Sequence, residues 1–186
     1  EKMSSMVNYE DRATCPLFGD GAAAVLMEPT EEPVGFVDGV FHVDGSGLEH
    51  LVYKAGGSAH PTTHETVDAK ENCLYQEGRA VYKSAVMDML NSSKEVMERN
   101  NLKIEDVKWF VPHQANLRII EAVGSRLGLS EEQVLVNIQK VGNTSAASIP
   151  ICLDHNKGKL KKGDKIVLTA FGAGFTWGAS YLIWGM

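Results

Sequence analysis

The chain has 186 residues, of which 44% are hydrophobic and 23% are charged, and its formal net charge at pH 7 is -6. These values are typical of a globular domain with a buried core, and the scattered lysines and arginines form no basic stripe of the kind that binds nucleic acid. No apolar run approaches the ~20 residues of a membrane-spanning helix, so we expect neither nucleic acid nor a membrane as a partner.

The first predicted element is a buried strand at residues 17–27, which are apolar and rich in small side chains. Residues 28–33 follow as a linker, because they combine two prolines with three acids. We therefore divide the chain at Pro33, into residues 1–33 and residues 34–186.

The next elements are a strand, a surface excursion and a long helix. Residues 35–43 alternate apolar with polar or small side chains, which predicts a strand. Residues 44–72 are rich in Gly, Ser, Thr and His and have little periodicity, which predicts a long surface excursion. Between about residues 76 and 100, apolar side chains recur at helical spacing, which predicts an amphipathic helix packed against a sheet.

The remainder of the chain alternates predicted strands and helices. Helices are predicted at residues 114–127, where Gly128 ends the helix, and at residues 145–156. Strands are predicted at residues 107–111, 134–138, 165–171 and 175–184. Together with the strand at 35–43 they predict an α/β fold whose mixed five-stranded sheet is covered by helices.

A histidine and an asparagine follow two of these elements. His113, in the run WFVPHQAN, lies where a strand gives way to a helix, and open α/β sheets place ligands at that end of a strand. Asn143 follows Gly142 in the run GNTSAAS, where it could also merely cap a turn. Both side chains can donate a hydrogen bond to one oxygen. If that oxygen is a thioester carbonyl, the pair would stabilise the enolate formed on decarboxylation, which implies carbon–carbon bond formation.

The other five histidines are predicted to be surface or loop residues. His60 and His64 have the spacing of metal ligands, yet Pro61 follows the first directly and no further ligand pattern appears. We therefore predict no metal site.

The three cysteines are the candidates for a nucleophile. A reactive cysteine needs a pKa lowered by a helix N-terminus or a nearby cation, and neither Cys15, Cys73 nor Cys152 has such a setting in the sequence. We predict that all three are small packing residues. Their odd number and unpaired spacing indicate a reducing, cytoplasmic environment without disulfides.

The runs around His113 and Asn143, with residues 170–178 (AFGAGFTWG), resemble the beta-ketoacyl-acyl-carrier-protein synthase III family. The likeness extends over nearly the whole chain. It implies the C-terminal half of a thiolase-like fold, in which residues 1–33 are the last strand region of the N-terminal half. It also implies that the nucleophilic cysteine belongs to a missing N-terminal half, so that this chain alone is inactive.

The resemblance implies a starter condensing enzyme of type II fatty-acid synthesis. An acyl group from acyl-coenzyme A would be transferred to the cysteine, after which His113 and Asn143 would promote the decarboxylation of malonyl-acyl-carrier-protein, giving 3-oxoacyl-acyl-carrier-protein. No metal or redox cofactor is implied, since the coenzyme A thioester is a substrate. A biosynthetic thiolase of the same superfamily would be expected to show Gly-His-Pro at His113, which this chain lacks.

The resemblance also implies roles for five further residues. Phe171 would pack against the nucleophile, and the backbone N–H of Ala173, where family members often carry glycine, would share an oxyanion hole. Asn116 would contact the pantetheine arm, and Arg118 and Lys83 would contact the carrier protein or the phosphopantetheine mouth. The plainer alternatives are that Phe171 is a core phenylalanine and that Asn116 is only a polar residue at a helix start. For Arg118 and Lys83 the plainer alternative is a solvated helix face.

Association is expected as well. The strand predicted at residues 17–27 would belong to a sheet completed by the N-terminal half, which leaves an exposed edge on this chain. We expect association with that half or a homodimer. The alternative is a non-catalytic module that binds pantetheine or assembles with copies of itself.

Overall fold

The computed structural model describes residues 1–186, which form six β-strands and five α-helices. The strands are β1 (Gly35–Val43), β2 (Leu51–Val52), β3 (Tyr75–Gln76), β4 (Trp109–Pro112), β5 (Lys165–Gly172) and β6 (Thr176–Ile183). The helices are α1 (His64–Asp68), α2 (Gly78–Arg99), α3 (Leu117–Leu127), α4 (Ile138–Val141) and α5 (Ser148–Asn156).

Four strands form a mixed sheet in the order β1-β6-β5-β4. β5 and β6 are an antiparallel pair, and β1 pairs antiparallel with β6 at one edge. β4 is parallel to β5 because the chain crosses over through α3, α4 and α5 between them. β2 and β3 form a separate two-stranded sheet.

Helices pack on both faces of the four-stranded sheet. Side chains alternate along β4 and β5, so Phe110 and Val167 enter the main core with residues of α2 and α3. Val111 and Ile166 point the other way, into a smaller cluster with Cys152 of α5. The predicted α/β fold, with a mixed sheet covered by helices, is therefore confirmed.

The helix bounds follow from local signals. Asn116 precedes α3, and its Oδ1 accepts a hydrogen bond from the Arg118 N–H at 2.9 Å, which explains why the helix begins after the predicted residue 114. Gly128 ends α3 with φ +82°, as predicted. The helices predicted at 76–100, 114–127 and 145–156 correspond to α2, α3 and α5.

The predicted strand at residues 17–27 is wrong. Phe18 makes one isolated parallel bridge to Asn143, and residues 19–30 have no regular structure. Val25, Leu26 and Met27 are 69%, 89% and 74% exposed. Apolar composition alone does not make a strand, because the backbone needs a hydrogen-bonding neighbour, and no strand runs beside these residues.

The sheet has four strands where five were expected. Of the predicted strand at 134–138, only Val134 forms a bridge, to Phe110, and Leu135 N–H donates to the Phe110 carbonyl at 2.9 Å. The segment leaves the sheet there because α4 already begins at Ile138. The division of the chain at Pro33 stays a prediction. None of the helices combines the length and apolarity that crossing a membrane would need.

Candidate active site

A cavity of about 760 Å³ opens at the carboxyl ends of β4 and β5, beside the N-terminal half of α2 and the first turn of α3. Most of its lining is apolar, with polar groups confined to a few positions. It brings together six of the seven residues singled out from the sequence, which are His113, Asn116, Arg118, Asn143, Phe171 and Ala173.

β4 delivers His113 to this cavity. The strand's parallel pairing with β5 continues past Pro112, because the His113 N–H donates to the Thr169 carbonyl at 2.7 Å. The ring Nδ1 lies 2.6 Å from Ser148 Oγ at the start of α5. The second ring nitrogen, Nε2, has no protein partner and is available to a ligand.

The charge state of His113 follows from its surroundings. Burial lowers the pKa of this histidine to about 4, and no acidic side chain is paired with it to raise the pKa again. The imidazole is therefore neutral at pH 7 and carries one N–H. In that state it can donate a single hydrogen bond to a ligand.

Asn143 is held at the cavity by close backbone contacts with residues 17–19. Its N–H donates to the Leu17 carbonyl at 2.8 Å, and its carbonyl accepts from the Gly19 N–H at 2.9 Å. Gly142 makes this possible, because its φ is +68° and a Cβ there would lie 3.0 Å from the Leu17 carbonyl oxygen. Asn143 Oδ1 accepts from the Ser145 N–H at 2.8 Å, which leaves the side-chain Nδ2 free to donate into the cavity.

Gln114 connects the His113 loop to the segment before α4 by hydrogen bonds, a role that the sequence did not predict. Its side chain is fully buried, and its Nε2 donates to the carbonyls of Pro112 at 2.8 Å and Leu135 at 3.3 Å. Its Oε1 accepts from the Asn137 N–H at 2.9 Å. The bond to Asn137 ties the His113 loop to the residue before α4, which leads directly to Asn143.

The other polar residues that line the cavity differ in their surroundings. Asn116 both lines the cavity and caps α3, so the plainer helix-start role is observed. Arg118 is exposed and makes no ion pair, which agrees with the plainer alternative of a solvated helix face. Sequence reasoning also missed Arg79 and the Tyr53 hydroxyl, which is buried without a hydrogen-bond partner.

Lys83 is separated from the other predicted site residues. It lines a second cavity of about 340 Å³, on the side of α2 that carries Asp88 and faces Asp44. Burial and the Asp44 carboxylate raise the pKa of Asp88. Lys83 therefore faces acidic groups of this chain and not the cavity that holds His113.

The end of β5 supplies an aromatic wall and a backbone donor. Phe171 is buried in the main core, with its ring centroid 4.8 Å from that of Phe175, and it also lines the cavity. In the following turn the positive φ falls at Gly174 and not at Ala173. An alanine is therefore accommodated without strain, and its N–H makes no hydrogen bond to another backbone group.

No cysteine lines the cavity. Cys152 is buried on α5, where burial raises the pKa of its thiol to about 12. Cys15 and Cys73 are half-buried and unpaired. The prediction that Cys152 is a packing residue agrees with its position in the smaller apolar cluster.

Two family models match the chain. The model for the C-terminal part of 3-oxoacyl-[acyl-carrier-protein] synthase III matches residues 97–184, and the model for 3-oxoacyl-[acyl-carrier-protein] synthase III matches residues 1–45.

Individual relatives agree with these matches. The beta-ketoacyl-[acyl-carrier-protein] synthase III of Porphyromonas gingivalis is 61% identical over 99% of this chain and 55% of its own length. That of Chlorobaculum tepidum is 50% identical over 99% of this chain and 57% of its own length. The chain thus spans about half the length of these curated relatives.

Solved structures show the same fold. The crystal structure of 3-oxoacyl-[acyl-carrier-protein] synthase III from Aquifex aeolicus superposes with a TM-score of 0.87 at 41% identity, over 99% of this chain and 56% of that one. The priming beta-ketosynthase of the R1128 polyketide pathway superposes with a TM-score of 0.85 at 32% identity, over 100% of this chain and 55% of that one. The thiolase-like fold expected from the resemblance is confirmed.

Proposed function

Because the chain belongs to the 3-oxoacyl-[acyl-carrier-protein] synthase III family, we propose that it supplies the malonyl-binding part of a starter condensing enzyme. The overall reaction is the decarboxylative condensation of an acyl-coenzyme A with malonyl-acyl-carrier-protein. An acyl group first passes to a cysteine and releases coenzyme A. The malonyl group then loses carbon dioxide, and its enolate carbon attacks the acyl thioester to give 3-oxoacyl-acyl-carrier-protein and the free thiol.

One observation carries this proposal: a neutral imidazole and an amide, each with a nitrogen that has no protein partner, line the same cavity. His113 Nε2 and Asn143 Nδ2 have no protein partner, whereas the other polar atom of each side chain is held by the segment that opens α5. When the malonyl carbon–carboxylate bond breaks, its electron pair moves onto the thioester oxygen. Donors already directed at that oxygen stabilise the developing charge without reorganising.

The nucleophilic cysteine comes, in this proposal, from residues beyond these 186. The support is chemical, since none of the three cysteines lines the cavity and burial keeps the Cys152 thiol protonated. Phe171 would pack beside the incoming nucleophile, and the Ala173 N–H would donate to the acyl carbonyl oxygen. The chain alone would then hold a thioester without turning it over, which is the non-catalytic pantetheine-binding alternative.

Carrier recognition and association complete the proposal. Arg118 at the cavity is free of acidic partners, which suits it to a phosphopantetheine arm, and Asn116 would contact the same arm. Lys83 lies apart and would meet only the carrier protein's surface.

The apolar sheet face around Phe41 would be covered by the partner half or by a second copy. The reaction requires no metal or redox cofactor, and three unpaired cysteines favour a cytoplasmic location.

The test compares the intact enzyme with this chain alone. Both are incubated with labelled acetyl-coenzyme A and malonyl-acyl-carrier-protein, and protein adducts and products are identified by mass. We expect acetoacetyl-acyl-carrier-protein only from the intact enzyme. Its absence there would contradict the function, and an acetyl adduct with turnover on Cys15, Cys73 or Cys152 would contradict the position of the nucleophile.

A further inference from the structure

The Ser148 hydroxyl lies behind the His113 ring, at the first residue of α5. It is 1% exposed, and its Oγ is 2.6 Å from His113 Nδ1. The same oxygen accepts a hydrogen bond from the Gln114 N–H, with an N–O distance of 3.3 Å. Ser148 therefore contacts the ring nitrogen that does not face a ligand.

Counting hydrogens decides the direction of the short contact. A serine hydroxyl has one hydrogen to donate, and the Gln114 N–H already donates to its oxygen. If His113 carried its hydrogen on Nδ1, that N–H would also donate to Oγ. The buried hydroxyl hydrogen would then have no acceptor, because Ser148 Oγ has no partner other than these two.

We propose that Ser148 is a positioning residue that donates its hydroxyl hydrogen to His113 Nδ1 and thereby places the ring hydrogen on Nε2. The hydrogen bond at one ring nitrogen selects which tautomer forms. Nε2–H is the group that meets the thioester oxygen, so this assignment rests on the proposed function and refines it. The lowered pKa of His113 agrees, since a neutral ring has two tautomers to choose between.

The same segment directs the second donor. Three residues before Ser148, the Ser145 N–H donates to Asn143 Oδ1 and so turns the amide Nδ2 toward the cavity. Ser145 adopts a left-handed backbone with φ +51°, which non-glycine residues rarely do. The turn at residues 145–148 thus orients both donors through the atoms that do not touch the ligand.

The test reads the tautomer directly. In the intact enzyme labelled with 15N-histidine, long-range proton–nitrogen correlations show which ring nitrogen carries hydrogen, and the His113→Gln variant identifies the His113 signals. We expect hydrogen on Nε2 in the wild type and a mixture of tautomers in Ser148→Ala. Malonyl decarboxylation should fall about tenfold in that variant, as expected for one lost hydrogen bond, while acyl transfer to the cysteine is unchanged.

Two further variants separate positioning from loss of packing. Ser148→Thr keeps a hydroxyl and should restore the Nε2–H tautomer and most of the rate. Ser93→Ala removes another fully buried hydroxyl, which bonds the Met89 carbonyl at 2.7 Å on α2, and should change neither quantity. Thermal unfolding of each variant verifies that it is folded.

Two results would overturn the assignment of Ser148. One is a wild-type ring with hydrogen on Nδ1; the other is an unchanged tautomer and rate in Ser148→Ala. If the intact enzyme formed no 3-oxoacyl product but Ser148→Ala still altered the tautomer, the proposed function would fail and the assignment of Ser148 would stand.

Discussion

At the residue scale, the two main side chains of the site each have one polar atom hydrogen-bonded to the protein and one without a protein partner. His113 is tied through Nδ1 and Asn143 through Oδ1, so each presents a donor whose direction is set before a ligand arrives. Such preorganisation matters because donors that need no reorganisation stabilise developing charge most effectively.

The lowered pKa of His113 predicts a pH dependence of stability. The pKa of His113 falls from 6.5 to about 4 on folding, so between these values the unfolded chain binds more protons and stability decreases as the pH falls. The loss reaches at most about 3 kcal/mol. Urea unfolding of the wild type and His113→Gln between pH 7 and pH 4 measures it. The variant should lose less stability on acidification, and parallel curves would contradict the assignment.

Gln114 carries a second residue-scale prediction. Gln114→Leu removes a hydrogen bond from each of three buried backbone groups, those of Pro112, Leu135 and Asn137. We expect a loss of about 2–4 kcal/mol in the free energy of unfolding by urea. Gln133→Leu is the matched control, because the Gln133 side chain also bonds two backbone groups but is only half-buried. If both variants lose the same amount, the special role of Gln114 is wrong.

The sequence predicts well which residues line the cavity. It predicts poorly which contacts hold those residues in place. His113 and Asn143 stand out because each follows a recognisable element end. Gln114 gives no such signal, because its three partners come from separate segments that meet only in the folded chain. The separation of Lys83 from the cavity likewise depends on which side of α2 faces Asp44.

At the element scale, periodicity predicted helices well and apolar composition predicted strands poorly. α2 and α3 bury the faces that their spacing indicated. Residues 17–27 do not form a strand, because strand formation requires a hydrogen-bonding neighbour that composition does not reveal. What residues 17–19 contribute instead is the backbone contact that holds the Asn143 loop.

Gly142 is the element-scale test of that contact. Gly142→Ala places a Cβ at a residue with positive φ and close to the Leu17 carbonyl oxygen. It should lower the free energy of unfolding by about 1–3 kcal/mol, and it should lower decarboxylation because Asn143 is displaced. Gly158→Ala is the control, because a Cβ there meets nothing within 4 Å. Thermal unfolding and decarboxylation assays compare the two. Equal, small effects would show that the loop does not depend on Gly142.

At the scale of the whole molecule, one sheet face is incompletely covered. Beside α5, a shallow cavity of about 590 Å³ runs over β1, β5 and β6 and includes Phe41, which is 73% exposed. Exposed apolar surface of this kind favours association. The same face borders His113, so whatever covers it also closes the site from that side.

Association should therefore depend on this face. Sedimentation of the 186-residue chain over a range of concentrations should show self-association, and Phe41→Ser should weaken it. Leu48→Ser is the control, since Leu48 is 59% exposed but lies outside that cavity. A chain that remains monomeric at all concentrations, or equal effects of the two substitutions, would contradict the role of this face.

In the proposed reaction, His113 and Asn143 together stabilise the enolate of a malonyl thioester. The most direct measurement is the rate of carbon dioxide release from malonyl-acyl-carrier-protein by the intact enzyme and by its His113→Ala and Asn143→Ala variants. We predict that each substitution lowers decarboxylation on the order of 10²–10³-fold, with a smaller effect on acyl transfer to the cysteine. Near wild-type decarboxylation by both variants would contradict the claim.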